Sequence, residues 1–288
     1  MSLHPRNLLF RLASATLVSS QLEDTILVSG SGRSGTTWIA QALSCLPDYK
    51  LLFEPLNRDS LDNGYQKNAF IEQVSSDPRY ESRIQDVLSG RISDSSMWKL
   101  GGETTLGRIY QHVTCQKLIV KCVTTNRILP RIASQFDLCG IILVLRHPCA
   151  VVASQLRYAD DWKHVNPPHP EALRTGFGGR IPDSIFEDHA SVLASIETTA
   201  GVLAARWCLD TYVPLEQAPP SPPWLIVPYE RLLLEKGAET KRIAEFLGAD
   251  VFDAVMKQLD LPSMTTRSED RMNAQKQLTK WVSMLSPK

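Results

Sequence analysis

A loop rich in glycine and serine, with one cation at its centre, is the stretch of the sequence best suited to chemistry. Residues 29–35 are SGSGRSG, and Gly30 and Gly35 have the spacing of the two glycines in a nucleotide P-loop. Thr36 follows Gly35 where a P-loop has Lys, and the cation is Arg33, inside the loop. Such a loop can bind an oxyanion through its backbone N–H groups and the guanidinium. The usual arrangement of metal and triphosphate is therefore altered.

The flanking residues predict the elements that would position this loop. Residues 25–28 form a short apolar, β-branched run that is typical of a buried strand. Residues 36–43 carry helix formers with apolar side chains at helical spacing. A strand, a glycine loop and a helix in this order direct the first helical amides, and the positive end of the helix dipole, at an anion. The alternative is an ordinary strand–helix turn, which does not call for a central cation.

A second strand–helix turn carries similar chemistry. Residues 140–145 are the most apolar predicted strand, and Arg146 follows them directly. Pro148 suits the first turn of a helix that extends past Ser154. A guanidinium offers forked donors to a phosphate, and a hydroxyl adds one more. We interpret Arg146 and Ser154 as a second anion site, against the alternative of an Arg in a surface ion pair.

Two more ionisable residues lie on predicted strands or at their ends. Glu54 follows the strand predicted at residues 49–53, at the edge where open α/β sheets bind ligands. Lys121 interrupts the apolar strand predicted at residues 117–123. A Lys in a buried strand costs free energy unless it is paired or directed at a ligand. A helix cap or a surface ion pair is the alternative for Glu54, and a structural pairing is the alternative for Lys121.

These motifs resemble those of sulfotransferases that use 3′-phosphoadenosine 5′-phosphosulfate (PAPS). Residues 32–38, GRSGTTW, resemble the loop that binds the 5′-phosphosulfate, and Arg33 favours the carbohydrate and bacterial branch over the cytosolic branch, which has Lys there. The resemblance implies that PAPS binds and leaves as PAP, and that a late loop closes over it. The implied donor-binding residues are Gly32, Arg33, Ser34, Gly35, Thr36, Thr37, Trp38, Arg146, Ser154, Thr266, Arg267 and Ser268.

The resemblance also implies catalytic roles. Arg33 and Lys121 would hold the sulfuryl and bridging oxygens, and Glu54 would remove the acceptor's proton. Glu54 is preferred because Val123 stands where the cytosolic branch has a catalytic His. His147 and His164 (the latter in a polar segment) are the alternative bases. No metal would be required, because fixed cations replace Mg²⁺.

The fold that the resemblance implies is a P-loop NTPase-like three-layer α/β fold with a central parallel sheet flanked by helices. We expect one domain over residues 1–288, with lid or acceptor insertions at about 57–106 and 158–188. We also expect one continuous helix over residues 191–212 and a basic, polar tail after Ser268.

Composition narrows the acceptor and the compartment. The 31 Lys and Arg residues balance 31 Asp and Glu residues, whereas a nucleic-acid binder would show a basic excess. We therefore expect a small-molecule or saccharide acceptor and no nucleic-acid partner. None of the six cysteines has zinc-site spacing, and Arg11 breaks the apolar N-terminal stretch. A cytoplasmic protein without a membrane span is the expectation, and the sequence leaves its oligomeric state open.

Two other functions stay open at this point. A P-loop kinase would need Lys after Gly35 and a magnesium-binding Asp at a strand end, where this sequence has Thr36 and Arg146. A non-catalytic PAPS- or nucleotide-binding protein of the same fold would keep the anion sites and lack only turnover. The acceptor's identity, and whether a hydroxyl or an amino group is modified, are not determined by these motifs.

Overall fold

A six-stranded sheet lies at the centre of the protein as described by the computed structural model. The described residues are 19–56, 70–71, 75, 78–92, 94, 97–99, 105–157, 181–216, 218, 223–248, 252–265 and 274–285. The strands are β1 (Thr25–Gly30), β2 (Tyr49–Phe53), β3 (Trp98–Lys99), β4 (Lys117–Lys121), β5 (Gly140–Leu145) and β6 (Leu225–Pro228). The α-helices are α1 (Thr36–Leu43), α2 (Pro78–Leu88), α3 (Thr105–Thr114), α4 (Leu129–Gln135), α5 (Pro148–Arg157), α6 (Asp183–Asp188), α7 (Ala190–Ala194), α8 (Thr199–Glu216), α9 (Tyr229–Leu234), α10 (Lys236–Leu247), α11 (Phe252–Leu259) and α12 (Ala274–Leu285).

The strand order brings the predicted site residues to one edge of the sheet. The order is β3-β2-β4-β1-β5-β6, and every pairing is parallel except that of β3 with β2. Lys121 pairs in register with Val28 on one side and with Phe53 on the other. Because parallel strands end at the same edge, the segments after β1, β2, β4 and β5 meet there. This arrangement confirms the predicted fold class, a mostly parallel sheet flanked by helices.

Helices cover both faces of the sheet, which is why its strands are apolar runs and do not alternate with polar residues. Leu27 and Val120 point to one face and pack with residues of α2 and α4. Val28 and Ile119 point to the other face and pack with α1, α10 and α11. A third apolar cluster joins α6, α7 and α8 around Phe70. In the described ranges, no helix is both long enough and apolar enough to cross a bilayer.

Several sequence predictions of secondary structure need correction. The helix predicted over residues 191–212 is two helices, α7 and α8, because Thr198 starts α8 anew and its Oγ1 accepts a hydrogen bond from Gly201 N at 3.1 Å. The tail expected to be polar and basic contains α12. Within the range predicted as an insertion, β3 adds an antiparallel edge strand and α3 begins at Thr105, while residues 57–69 lie outside the described part.

Candidate active site

The loop between β1 and α1 requires glycine at two positions. Gly30 has φ 151° and Gly35 has φ 100°, both positive. A Cβ atom on Gly30 would lie 2.6 Å from the carbonyl oxygen of Val144, and one on Gly35 would lie 2.4 Å from Cδ2 of Tyr229. The loop therefore packs directly on β5 and on the Tyr229 ring, and both glycines of the sequence motif are sterically required.

Side chains of α5, together with Arg146 directly after β5, hold this loop. Arg33 donates from Nε to Oγ of Ser154 at 3.2 Å, and Arg146 donates from Nη1 to the backbone oxygen of Arg33 at 3.0 Å. Gln155 donates from Nε2 to the backbone oxygen of Gly32 at 2.9 Å. The two anion sites inferred separately from the sequence are thus one connected site, with Arg33 at the junction.

The loop and its surroundings offer donors that suit an oxyanion. The first amides of an α-helix have no partner inside the helix, and Gly35, at the N-cap of α1, supplies no side-chain cap. Thr36 and Thr37 form the buried first turn of α1. Nε of Arg146 and Oγ of Ser34 are buried and have no hydrogen-bond partner among the residues described. Buried donors without partners are costly, and an anionic ligand would satisfy them.

A pocket opens beside the loop between α5, α9 and α12, and we call it the cationic pocket. Its walls include four basic side chains, those of Arg33, Arg146, Arg157 and Lys280, together with Ser154. No Asp or Glu is among its lining residues in the described part of the chain. A concave surface with charges of one sign concentrates the opposite charge, so this pocket favours a polyanion.

Tyr229 forms one wall of the cationic pocket. Its ring centroid lies 4.4 Å from the guanidinium carbon of Arg146, and its hydroxyl donates to Oε1 of Gln277 at 2.9 Å. Burial raises the pKa of the Tyr229 phenol, while the guanidiniums of Arg146 and Arg33 oppose that shift only in part. The phenol therefore stays neutral at ordinary pH, orients Arg146 by a cation–π contact and contributes no charge. Tyr229 is not among the donor-binding residues that the resemblance implied.

Glu54 and Lys121 form the second half of the site, which we call the carboxylate–lysine pair. Lys121 is buried, and its Nζ contacts Oε1 of Glu54 and lies 4.6 Å from the ring centroid of Phe53. Oε2 of Glu54 accepts the backbone N–H of Val123 at 3.1 Å, and the backbone N of Glu54 donates to the Lys121 oxygen at 2.8 Å. The carboxylate thus compensates the charge that the sequence placed inside a strand.

Backbone strain coincides with both halves of the site. Among the described residues, the non-glycine residues with positive φ are Arg33 (74°), Asp48 (68°) and Glu54 (53°). A left-handed conformation costs such a residue about 1–2 kcal/mol, so surrounding contacts must hold it. Arg33 is held by α5, and Glu54 is held by its bonds to β4 and Val123. Strain of this kind concentrates at functional sites, which supports the interpretation of these two residues as functional.

The remaining predicted residues are placed as follows. His147 follows β5, three strand positions from the end of β2, or roughly 14 Å at 4.8 Å per strand. Its ring stacks on Trp281 with centroids 4.8 Å apart, so it lies on the side away from Glu54. Trp38 donates from Nε1 to the Leu261 oxygen at 2.9 Å, which ties α1 to the segment after α11. The predictions for Thr266, Arg267, Ser268 and His164 lie outside the described residues.

Several residues of the site were missed from the sequence. The cationic pocket is also lined by Arg157, at the end of α5 beyond the motif residue Ser154, and by Gln277, Lys280 and Trp281 of α12, a helix that the loop motifs do not mark. The signal that could have found those on α12 is their spacing of three and four residues, which places them on one helical face.

Comparison with known proteins places these features in a family. A family model described as "Sulfotransferase domain" matches residues 23–284. The sulfotransferase domain of the Synechococcus PCC 7002 olefin synthase is 16% identical, with 92% of this chain and 88% of that chain covered and a TM-score of 0.50. The sulfotransferase domain of the curacin biosynthetic pathway is 16% identical, with 93% and 94% covered and a TM-score of 0.48. Mouse sulfotransferase SULT7A1, complexed with PAP, is 16% identical, with 99% and 74% covered and a TM-score of 0.38. No curated protein matches the sequence significantly.

Proposed function

The chain belongs to the sulfotransferase domain family, and we propose that it transfers a sulfuryl group from PAPS to a hydroxyl, or an amino group, of a small-molecule or saccharide acceptor. One observation carries the proposal: Arg33 joins the anion-binding loop to the cationic pocket through Ser154 and Arg146. A donor with a 5′-phosphosulfate and a 3′-phosphate needs two anion sites side by side, and this junction supports such an arrangement. The resemblance of residues 32–38 to a phosphosulfate loop points the same way.

The donor-binding roles follow from the elements that carry each residue. The loop from Gly32 to Gly35, with the first amides of α1 and the hydroxyls of Thr36 and Thr37, would bind the 5′ side. Arg146 and Ser154 would bind the 3′-phosphate, by charge-assisted hydrogen bonds. Trp38 would act indirectly, by fixing α1 through its bond to Leu261. When bound, PAPS supplies the sulfuryl group and a phosphate leaving group.

The carboxylate–lysine pair would carry out the proton transfer and the charge stabilisation. Glu54 would take the proton of the acceptor's nucleophile, a step that general bases accelerate by ~10²–10⁴-fold. Lys121 and Arg33 would stabilise the charge that develops on the sulfuryl and bridging oxygens. Both carboxylate oxygens of Glu54 are engaged, by Lys121 and by Val123 N–H. Lys121 must therefore turn from Glu54 toward the donor before Glu54 can act.

The geometry favours Glu54 over His147 as the general base. His164, the other alternative, lies outside the described residues. Glu54 lies at the end of β2 and contacts Lys121 at the end of β4, one strand from the loop after β1. His147 lies beyond β5, where its ring is occupied by Trp281. A base beside the 3′-phosphate site would be far from the sulfuryl group, which belongs on the 5′ side of the donor.

Transfer of label from radiolabelled PAPS tests this function. The wild-type protein is incubated with pools of small alcohols, phenols, amines and saccharides, and the products are separated from PAPS. Label should appear in at least one acceptor and should be absent with Lys121→Met. Binding of PAP without transfer to any pool would favour the non-catalytic alternative. Transfer of phosphate from ATP with Mg²⁺ would favour the kinase.

A further inference from the structure

Two helices that are far apart in the sequence face each other across the cationic pocket. Helix α5 presents Ser154 and Arg157, three residues apart, and α12 presents Gln277, Lys280 and Trp281 at spacings of three and four. Residues at these spacings share one face of a helix. The pocket is therefore walled on one side by the helix that follows the predicted closing loop.

Helix α12 is held in this position by two side-chain contacts that flank Lys280. One turn before it, Gln277 accepts the hydroxyl of Tyr229 at 2.9 Å. Directly after it, the Trp281 ring stacks on His147, with centroids 4.8 Å apart and an angle of 14° between the rings. These contacts tie α12 to the ends of β6 and β5, so Lys280 is set into the pocket by its neighbours on both sides.

Two basic side chains extend the pocket beyond the residues that hold the loop. Arg33 and Arg146 belong to the loop and its anchor, whereas Arg157 and Lys280 line the pocket beyond Ser154. Four basic side chains line this concave surface and no acidic residue lines it among those described, so the pocket favours a polyanion. A phosphomonoester carries between one and a half and two negative charges near neutral pH and accepts several charge-assisted hydrogen bonds.

We propose that Lys280 of α12, with Arg157 opposite it on α5, binds the 3′-phosphate of the donor and makes α12 the wall that selects a 3′-phosphorylated nucleotide. This inference rests on the proposed function, because it assigns further residues to the same donor site. The resemblance implied that Arg267, in the loop of residues 266–268, is the late cation that contacts the donor. The inference assigns this role to Lys280 instead, on a helix that the motifs did not mark.

Calorimetric titration with two nucleotides tests the assignment. PAP carries the 3′-phosphate, whereas adenosine 5′-phosphosulfate lacks it. Lys280→Gln and Arg157→Gln should each weaken PAP binding by about tenfold, the lower range for loss of a charged hydrogen-bond partner. They should change the affinity for adenosine 5′-phosphosulfate less than twofold. Lys280→Arg keeps the charge and should retain most of the affinity for PAP.

Lys276→Gln is the matched control, because Lys276 is an exposed Lys one turn earlier on the same helix and is not among the pocket-lining residues. It should leave both affinities unchanged, and thermal unfolding of each variant verifies that it folds. The inference is overturned if Lys280→Gln binds PAP as the wild type does, if it weakens both nucleotides equally, or if Lys276→Gln weakens PAP as much. Failure of the wild-type protein to bind PAP would overturn the proposed function itself, and this inference with it.

Discussion

Two buried lysines lie on neighbouring strands and are stabilised in different ways. Lys50, near the start of β2, is 3% exposed, and Lys121, at the end of β4, is 5% exposed. Lys50 donates to the backbone oxygen of His112 at 3.0 Å and lies 5.8 Å from the ring centroid of Trp98. Lys121 is paired with the carboxylate of Glu54. Burial of a lysine therefore does not by itself indicate a functional site. The end of the sheet at which the lysine lies, and the group that it is paired with, distinguish Lys121 from Lys50.

The environments of the two lysines agree with separate roles. Burial lowers the pKa of Lys50 to about 8, and nearby Cys115 and Asp48 offset this only in part. Burial also lowers the pKa of His112 to about 3, so the ring beside Lys50 is neutral. Lys50 is thus a structural residue that packs the amino-terminal end of the sheet. Lys121 is at the carboxyl edge, where parallel sheets bind ligands.

The largest contrast is expected from removing each lysine in turn. Lys121→Met should lower turnover by ~10²–10³-fold or more, because it removes charge stabilisation of the reacting oxygens. Lys50→Met should leave the turnover of the folded protein within about twofold of the wild type, because Lys50 lies at the other end of the sheet. Initial rates of label transfer from PAPS measure both. Comparable losses in the two variants would remove the distinction between the lysines.

The Lys121→Met variant needs a folding control, because removal of Lys121 leaves the carboxylate of Glu54 without its counter-charge, which lowers stability. Lys121→Met combined with Glu54→Gln removes both charges and should recover thermal stability without recovering turnover. If stability and turnover recover together, the pair is structural and its catalytic assignment is wrong.

The next effect in size concerns the partner of Lys121. Glu54→Gln keeps the size and hydrogen bonding of the side chain but cannot take a proton, so it should lower kcat by ~10²-fold and leave PAPS affinity near normal. Steady-state kinetics and PAP titration separate the two quantities. His147→Ala and His164→Ala are compared in parallel. Turnover near that of the wild type in Glu54→Gln, with a collapse in His164→Ala, would move the base to His164.

A smaller effect is expected in the cationic pocket, whose charges act on binding. Arg146→Ala should weaken PAP binding by about 5- to 150-fold, or roughly 1–3 kcal/mol, as for loss of a charged hydrogen-bond partner. It should spare the affinity for adenosine 5′-phosphosulfate. Equal losses for both nucleotides would mean that Arg146 serves the loop as a whole, through its bond to the Arg33 oxygen, and not the 3′-phosphate.

The smallest effect is on the pH dependence of stability and concerns Lys50. Its folded pKa of about 8 lies below the ordinary Lys pKa of 10.5, so between these two pH values the unfolded chain binds more protons than the folded one. Stability should therefore rise with pH in this window, by roughly 1 kcal/mol relative to Lys50→Met. Urea unfolding at pH 8 and pH 10 measures the difference. The same slope in both proteins would show that Lys50 is not the group responsible.

Local patterns were sufficient to predict the framework of the site. The apolar run of β5 and the glycine loop before α1 carry their structure in a few neighbouring residues, so the strands and the loop followed from local patterns, while the fold class followed from the resemblance of the motifs to a family. The sequence placed Glu54 at the carboxyl end of one strand and Lys121 inside another, whose end at Lys121 came from the structure. That they contact each other depends on β2 pairing with β4, a long-range strand order that no local pattern contains.

The wall formed by α12 could not be predicted in the same way. Helix α12 is held at the pocket by the contacts of Trp281 with His147 and of Gln277 with Tyr229, which are distant in the sequence. The helix break before α8 was missed for a simpler reason, since the capping role of Thr198 was overlooked within an apolar helical pattern. Loop motifs thus predicted the residues of the anion sites, while the residues that enclose them required the tertiary structure.

Thermal unfolding of the wild-type protein with competing nucleotides tests the central claim, that this site binds a 3′,5′-phosphorylated donor, most directly. A ligand that binds only the folded state stabilises it by about 2.7 kcal/mol at a hundred times its Kd. PAP should raise the unfolding midpoint by several degrees, and ATP or ADP at the same concentration, with or without Mg²⁺, should raise it far less. Equal or greater stabilisation by ATP with Mg²⁺ would contradict the claim.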